Sequence, residues 1–227
     1  MKLLALDTST EACSAALWLD GNIHERFEIA PGAHSRLILP MIEDLCTQAG
    51  VQLKDMDALV FGRGPGSFTG VRIAASVVQG LAYGADLPVI PVSTLAALAQ
   101  GAWQQHQWSR VLAALDARMG EVYWGAFERG ADGVMRVVQD ECVVAPEQVT
   151  LPALGEWQGA GPGWAAYPAQ LQARCGERVV TYDGQMFPRA AHLLPIAAVE
   201  FQRGAVLPAD QALPVYLRDQ VAQRPRS

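Results

Sequence analysis

The sequence is poor in the residues that build metal centres and disulfide frameworks. It has four cysteines in 227 residues, at positions 13, 46, 142 and 175. No two form a C-x-x-C pair and no gap recurs, which suits neither zinc nor a disulfide scaffold, so reduced thiols in a cytoplasm are expected. Four histidines stand at 24, 34, 106 and 192. No two lie four apart, the spacing that lets two imidazoles on one helix share a metal. Positive charge is also short. Seventeen Lys and Arg against twenty-three Asp and Glu leave a net charge of −6, a poor surface for a protein that binds nucleic acid by itself, because that affinity comes from counterions displaced by a basic face. Long apolar runs are missing as well. The N-terminal run meets Asp7 after four apolar residues, too short for an export signal. The longest candidate span, 71–87, carries Arg72, Gln79 and Asp86, so no membrane crossing is expected. What is present is 51% hydrophobic and 18% charged residues, enough to build one large domain or two small lobes around a proper core.

The first third reads clearly as alternating elements. Residues 2–7, 12–19 and 22–29 are expected strands, with turns at 8–11 and at Asp20-Gly21. Asp-Gly between two extended runs signals a hairpin, since both turn positions tolerate positive φ. A helix should follow to about residue 50, because Leu37, Met41, Leu45 and Ala49 recur every four residues beside Ile38 and Ile42. Ser35 is its expected N-cap, and Pro40 demands a kink or a later start. A strand at 58–62, a glycine-rich turn, a helix to about 84, a strand at 88–92 and a helix at 93–105 complete this set. Near residue 107 the pattern restarts, with strands at 110–116, 121–128 and 135–142, then a strand at 178–182 and a helix at 188–204. Ala113-Ala114-Leu115-Asp116 echoes Leu4-Ala5-Leu6-Asp7. The Pro- and Gly-rich stretch 151–164 loosens the second half, and the end of the chain from 205 reads as mostly irregular. The expected architecture is α/β: two lobes, 1–107 and 108–227, each with a mixed sheet covered by helices, and with the 188–204 helix packing back on the first lobe.

Three groups of residues could carry chemistry. A hairpin tip after a buried strand ending in Asp can hold phosphate through backbone N–H groups, which makes Asp7, Thr8, Ser9 and Thr10 candidates facing an interlobe cleft. Asp7 and Asp116 could also hold a divalent ion through water; strand-end hydrogen bonding to turn N–H groups is the preferred reading of both. The segment Gly62-Arg63-Gly64-Pro65-Gly66-Ser67-Phe68-Thr69-Gly70 puts four glycines and a proline into nine residues. It opens a helix whose first N–H groups could cradle an anion. It matches neither the P-loop nor the dinucleotide fingerprint, so a structural turn is favoured over a phosphate cradle. Asp116, Arg118 and Glu121 form either a functional cluster or an ion network clamping a hairpin tip. His34-Ser35 is read as a cap by default, with contact to the cleft or a partner as the alternative. Arg218, Arg224 and Arg226 form a basic tail, expected to be disordered.

Several of these segments together resemble the TsaB/YeaZ family. They are Leu6-Asp7-Thr8-Ser9, His34-Ser35 with Leu39-Pro40-Met41-Ile42, Gly64-Pro65-Gly66-Ser67-Phe68-Thr69-Gly70-Val71-Arg72-Ile73, Asp116-Ala117-Arg118 with Glu121-Val122-Tyr123, and Pro214-Val215-Tyr216-Leu217-Arg218. The likeness runs along nearly the whole chain in order. Gln79 departs from it, standing where lysine is expected before Gly-Leu-Ala, which puts an anion role there in doubt. The resemblance implies an actin-like ATPase fold of two ribonuclease-H-like lobes and a part in making N6-threonylcarbamoyladenosine beside the tRNA anticodon. It implies a non-catalytic partner of TsaD, the metal-bearing transferase, joined by the ATPase TsaE. No cofactor of the chain's own is then expected, since ATP or ADP and the metal belong to those partners, and tRNA is met only through the complex. The older glycoprotease label is not supported, since no metal pair or nucleophile–base arrangement is visible.

For the partner surface, the helix at 70–85 offers a stripe of 70, 74, 77, 78, 81 and 85 toward the core. Thr69, Arg72, Ser76, Gln79 and Tyr83 are then expected outside, flanked by Ala75 and Ala82, which suit close helix approach. With Leu37, Met41 and Leu45 of the preceding helix they would form a helix-on-helix seam, since a specific interface needs roughly 800 Å² per partner. In isolation the same surface would favour a two-fold homodimer. The alternative function is a nucleotide-dependent transferase or kinase using its own cleft.

Overall fold

A computed structural model describes residues 1–218. Strands β1 (Lys2–Asp7), β2 (Ala12–Leu19), β3 (Asn22–Ile29), β4 (Ala58–Gly62) and β5 (Val89–Val92) form one sheet in the order β3-β2-β1-β4-β5. Strands β6 (Arg110–Arg118), β7 (Glu121–Arg129), β8 (Met135–Val144), β9 (Trp157–Ala160) and β10 (Val179–Asp183) form a second, in the order β10-β9-β6-β7-β8. In each sheet the first three strands run antiparallel and the last two parallel to the first. The second sheet therefore repeats the topology of the first.

Why β1 is apolar throughout follows from what covers it. Leu4 and Leu6 point to one face, where α1 (His34–Ala49) and α2 (Phe68–Ala85) bury them. Leu3 and Ala5 point to the other, under α6 (Ala190–Gln202). A strand buried on both faces has no polar side to alternate with. The second sheet does the same: Val111, Ala113 and Leu115 of β6 face α3 (Thr94–His106), while Leu112 and Ala114 face α4 (Pro162–Ala166), α5 (Pro168–Cys175) and the indoles of Trp124, Trp157 and Trp164.

Helices α3 and α6 lie between the sheets, and a Cβ at Gly101 of α3 would overlap the His192 imidazole of α6. The chain then stays with the first lobe. Leu207 and Val89 exchange two backbone hydrogen bonds, at 2.8 and 2.9 Å. Ala212 enters the first core, Gln79 Nε2 donates to the Ala212 carbonyl at 3.1 Å, and Val215 N donates to the Arg63 carbonyl at 2.8 Å.

Three expectations need correcting. Helix α1 starts at His34 with Ala33 as N-cap and no side-chain cap, so Ser35 is inside the helix, and Pro40 is accommodated within it; Leu39 and Pro40 both face outward, where water can serve the carbonyl left without a donor. The stretch 151–164 contains β9 and the start of α4, hidden because Gly and Pro punctuate both ends. The expected core stripe of α2 holds at Gly70, Ala74 and Val78, but Val77, Leu81 and Ala85 are only half-buried, and Val71, Ala75 and Ala82 complete the buried face instead. The reason is distance: small side chains let the helix axis approach the sheet, so alanines take the inner face and the larger residues its edges.

Candidate functional site

The two hairpin tips, β1–β2 and β6–β7, face a cleft of about 700 Å³ between the lobes. Its first-lobe wall includes Ser9, Thr10, Glu11, His34 and Ser67, and its second-lobe wall Asp116 and Arg118. This is where a ligand of a two-lobed protein is expected.

The first tip is internally consumed. Asp7, Thr8 and Ser9 are buried. Asp7 Oδ1 accepts from Ser9 N at 3.0 Å and from Ser9 Oγ at 2.7 Å, while Thr8 Oγ1 donates to the Gly70 carbonyl at 2.7 Å. Ser67 N donates to the Ser9 carbonyl at 2.7 Å. The glycine-rich turn lies directly on this tip: a Cβ at Gly66 would overlap the Ser9 carbonyl oxygen, one at Gly70 the Thr8 carbonyl oxygen, and one at Gly62 the Asp7 carboxylate. Those glycines are there for close backbone approach. Ser67 caps α2 by accepting from Gly70 N at 3.4 Å. Burial pushes the Asp7 carboxyl above the usual carboxylate range, opposed by its bonds to Ser9 and by nearby His34. Asp7 Oδ2 and His34 Nε2 are both buried without a hydrogen-bond partner.

The second tip is tied by side chains and faces water. Asp116 Oδ1 accepts from Arg118 N at 2.8 Å and from Tyr167 Oη at 3.3 Å, and Asp116 Oδ2 pairs with Arg118 Nη1 at 2.8 Å. Arg118 Nη2 crosses the cleft to Glu11 at 2.9 Å. Glu121 pairs not with Arg118 but with Arg218, so Arg218 is held in place rather than disordered. Arg224 and Arg226 lie outside the described residues.

The expected partner surface divides. Leu45, Ala75 and Ala82 are 2%, 4% and 0% exposed and belong to the first-lobe core, which removes them from any surface. Leu37 and Met41 are half-buried against the same core, and Gln79 spends its amide on Ala212. Thr69, Arg72, Ser76 and Tyr83 are exposed, with Tyr83 at 86%. Gly80 and Gly84 lie between them with open space where a Cβ would be.

Two features went unread in the sequence. Gly161-Pro162-Gly163 after β9 repeats Gly64-Pro65-Gly66 after β4, and a search for that tripeptide finds it. The other is an interlobe knot in which Ser93 and Arg63 meet Glu141 of β8, the Arg63–Glu141 distance being 3.5 Å. Burial raises the Glu141 carboxyl, opposed by Ser93 and Arg63; nothing in the residue spacing signals this contact. Among the described residues no three His, Cys, Asp or Glu side chains come together to hold a metal, and no helix is long and apolar enough to cross a membrane.

Two five-stranded mixed sheets of matching topology, each covered by helices and opening on a shared cleft, define an α/β protein of the actin-like, ribonuclease-H-like class. The family model for "TsaD: tRNA N6-adenosine threonylcarbamoyltransferase" matches residues 22–224. A protein of Escherichia coli K12 named tRNA threonylcarbamoyladenosine biosynthesis protein TsaB is 49% identical over 98% of this chain and 96% of its own length. A protein of the same name from Haemophilus influenzae is 43% identical over 97% and 95%. The solved structure of YeaZ from Pseudomonas aeruginosa superposes with a TM-score of 0.90 at 48% identity, covering 95% of this chain and 99% of that one. The chain belongs to the TsaB/YeaZ family.

Proposed function

We propose that the chain serves the biosynthesis of N6-threonylcarbamoyladenosine in tRNA as a non-catalytic scaffold, forming a heterodimer with a TsaD transferase that TsaE joins. Its TsaB-named relatives, matched end to end, support the pathway. The scaffold role rests on one observation: the hairpin tip at Thr8–Ser9, where a phosphate would have to sit, is filled by the backbone of Gly66 and Gly70. In the same cleft Arg118 and Arg218 are already paired with carboxylates. A nucleotide there would have to break both sets of contacts. ATP or ADP and the metal are then held by the partners, and tRNA, which a chain of net charge −6 attracts poorly, is met through the complex.

The partner surface is the open side of α2, formed by Thr69, Arg72, Ser76 and Tyr83. Gly80 and Gly84 leave room there for a helix to pack closely, and Leu37 and Met41 of α1, half-buried against the first-lobe core, are assigned to the same surface. Without TsaD the same face pairs two copies of the chain. The experiment is reconstitution. The chain added to TsaD, TsaE, ATP, an activated threonylcarbamoyl donor and tRNA should raise modification from background, while alone, with magnesium, it should hydrolyse no nucleotide. ATP turnover by the isolated chain would instead establish the competing reading, a transferase or kinase working in its own 700 Å³ cleft.

A further inference from the structure

Residues 213–218 leave the first lobe and end on the second. Their path is fixed at each step. Val215 N donates to the Arg63 carbonyl at the end of β4, and the Val215 carbonyl oxygen lies where a Cβ at Gly64 would come within 3.0 Å, a position with φ of +99°. The Tyr216 ring meets Phe68 at the start of α2 with centroids 5.8 Å apart, and the Arg72 guanidinium lies 3.3 Å over the Phe68 ring. Arg218 then crosses to the β6–β7 tip, where it pairs with Glu121, donates to the Arg118 carbonyl at 3.5 Å and touches Met119 Sδ at 3.7 Å. The first lobe thus holds this tip at two places, through Glu11–Arg118 and through Arg218–Glu121.

These two ties differ in shielding. The Arg118 side chain is 72% exposed and that of Arg218 is 19% exposed. Exposed ion pairs contribute little because water and salt screen them. A shielded arginine with several acceptors is held more firmly. We propose that residues 213–218 are an interlobe strap, with Arg218 on Glu121 as its latch, fixing the second hairpin tip against the first lobe and so setting the width of the cleft. By linkage, a partner that binds the strap only when Arg218 is released from Glu121 opens the cleft by the same free energy that an opened cleft returns to its binding.

The test is hydrogen exchange on the full chain, comparing the parent with R218A, E121A and the double variant, and with R118A as the control tie. Exchange of the tip amides at 117–121 should rise about tenfold in R218A and in E121A, and no further in the double variant. R118A should raise it less than about threefold. Strand β1, and β6 from Arg110 to Asp116, should stay protected in all four, and the melting temperature should move by only a few degrees. Unchanged tip exchange in R218A overturns the strap. So does a rise spread evenly over β1 and β6, which would make Arg218 a general stabiliser rather than a latch.

Discussion

The two hairpin tips occupy equivalent places in their lobes and are built in opposite ways. The β1–β2 tip is sealed by backbone. Its aspartate is 0% exposed, and the glycine-rich turn leaves no room beside it even for a methyl group. The β6–β7 tip is held by long side chains reaching in from Arg118, Tyr167 and Arg218. A repeated topology therefore does not repeat its chemistry. The first lobe builds its tip into the core, and the second holds its tip by charged side chains.

The largest expected effect separates these two kinds of construction. Gly70→Ala drives a methyl into the Thr8 carbonyl oxygen, which is backbone and cannot swing aside. It should cost about 4 kcal/mol or more, enough to unfold many domains of this size. Arg118→Ala removes two pairs from the other tip and should cost no more than about 1 kcal/mol. Denaturant midpoints of both variants decide the matter; similar losses would mean the tips are equally structural.

The same contrast between packed and open backbone separates two neighbours on α2. Ala75→Arg places an unpaired charge in the first-lobe core, where Ala75 is 4% exposed, and should unfold the chain through a penalty of several kcal/mol. Ser76→Arg points outward and should melt within a few degrees of the parent. If the open side of α2 is the partner surface, it should weaken TsaD binding at least about tenfold by calorimetry. Normal melting with undiminished binding would move the seam off this face.

A third effect follows from two buried titratable groups, Asp7 and His192. The Asp7 carboxyl is raised in the folded state, so the stability linked to it is full below the unfolded pKa and is lost as pH rises through the folded one. Asp7→Asn keeps an acceptor for Ser9 and removes the buried charge. It should leave the protein at least as stable as the parent at pH 7, by up to about 1 kcal/mol, with the advantage shrinking toward pH 4. His192 has the opposite sign. Burial lowers its pKa to about 4, so the stability it carries is present above pH 6.5 and is lost as pH falls through 4. His192→Leu should flatten that acid limb in thermal melts taken from pH 7 to 4. A parent curve flat across both ranges would remove both effects.

How far the sequence disclosed this structure depended on whether a signal was local. The bounds 2–7, 12–19, 22–29 and 58–62 coincide with β1 to β4 because β1, β2 and β4 are apolar runs, while the mostly polar β3 is bounded by Asp20-Gly21 on one side and Pro31-Gly32 on the other. The Gly-Pro-Gly-Ser-Phe-Thr-Gly segment read as a structural turn, which agrees with the close packing of Gly66 and Gly70 on Ser9 and Thr8, though nothing in the spacing tied it to the first tip. Which alanines of α2 face the sheet was not legible, because Ala75 and Ala82 look alike on either side of a helix until its distance from the sheet is known. Nor was the Arg218–Glu121 pair, joined across 97 residues of sequence.

The smallest expected effect concerns two turns that differ in just this legibility. Asp20-Gly21 joins β2 to β3 with φ of 50° and 93°, the left-handed pair that a two-residue hairpin loop requires and that Asp-Gly advertises. Met119-Gly120 joins β6 to β7 with φ of 57° and 78°, so the same backbone is made with methionine in a position that favours Asn or Asp. The methionine is 80% exposed and gains little from packing, while its Cβ makes the left-handed conformation unfavourable. Met119→Asn should therefore stabilise the chain by about 0.5 kcal/mol, whereas Asp20→Met should destabilise it by a similar amount. Chemical denaturation of both variants checks the pair. If Met119→Asn instead lowers stability, the thioether contact to Arg218 outweighs the turn preference, and the second tip depends on its strap more than on its own backbone.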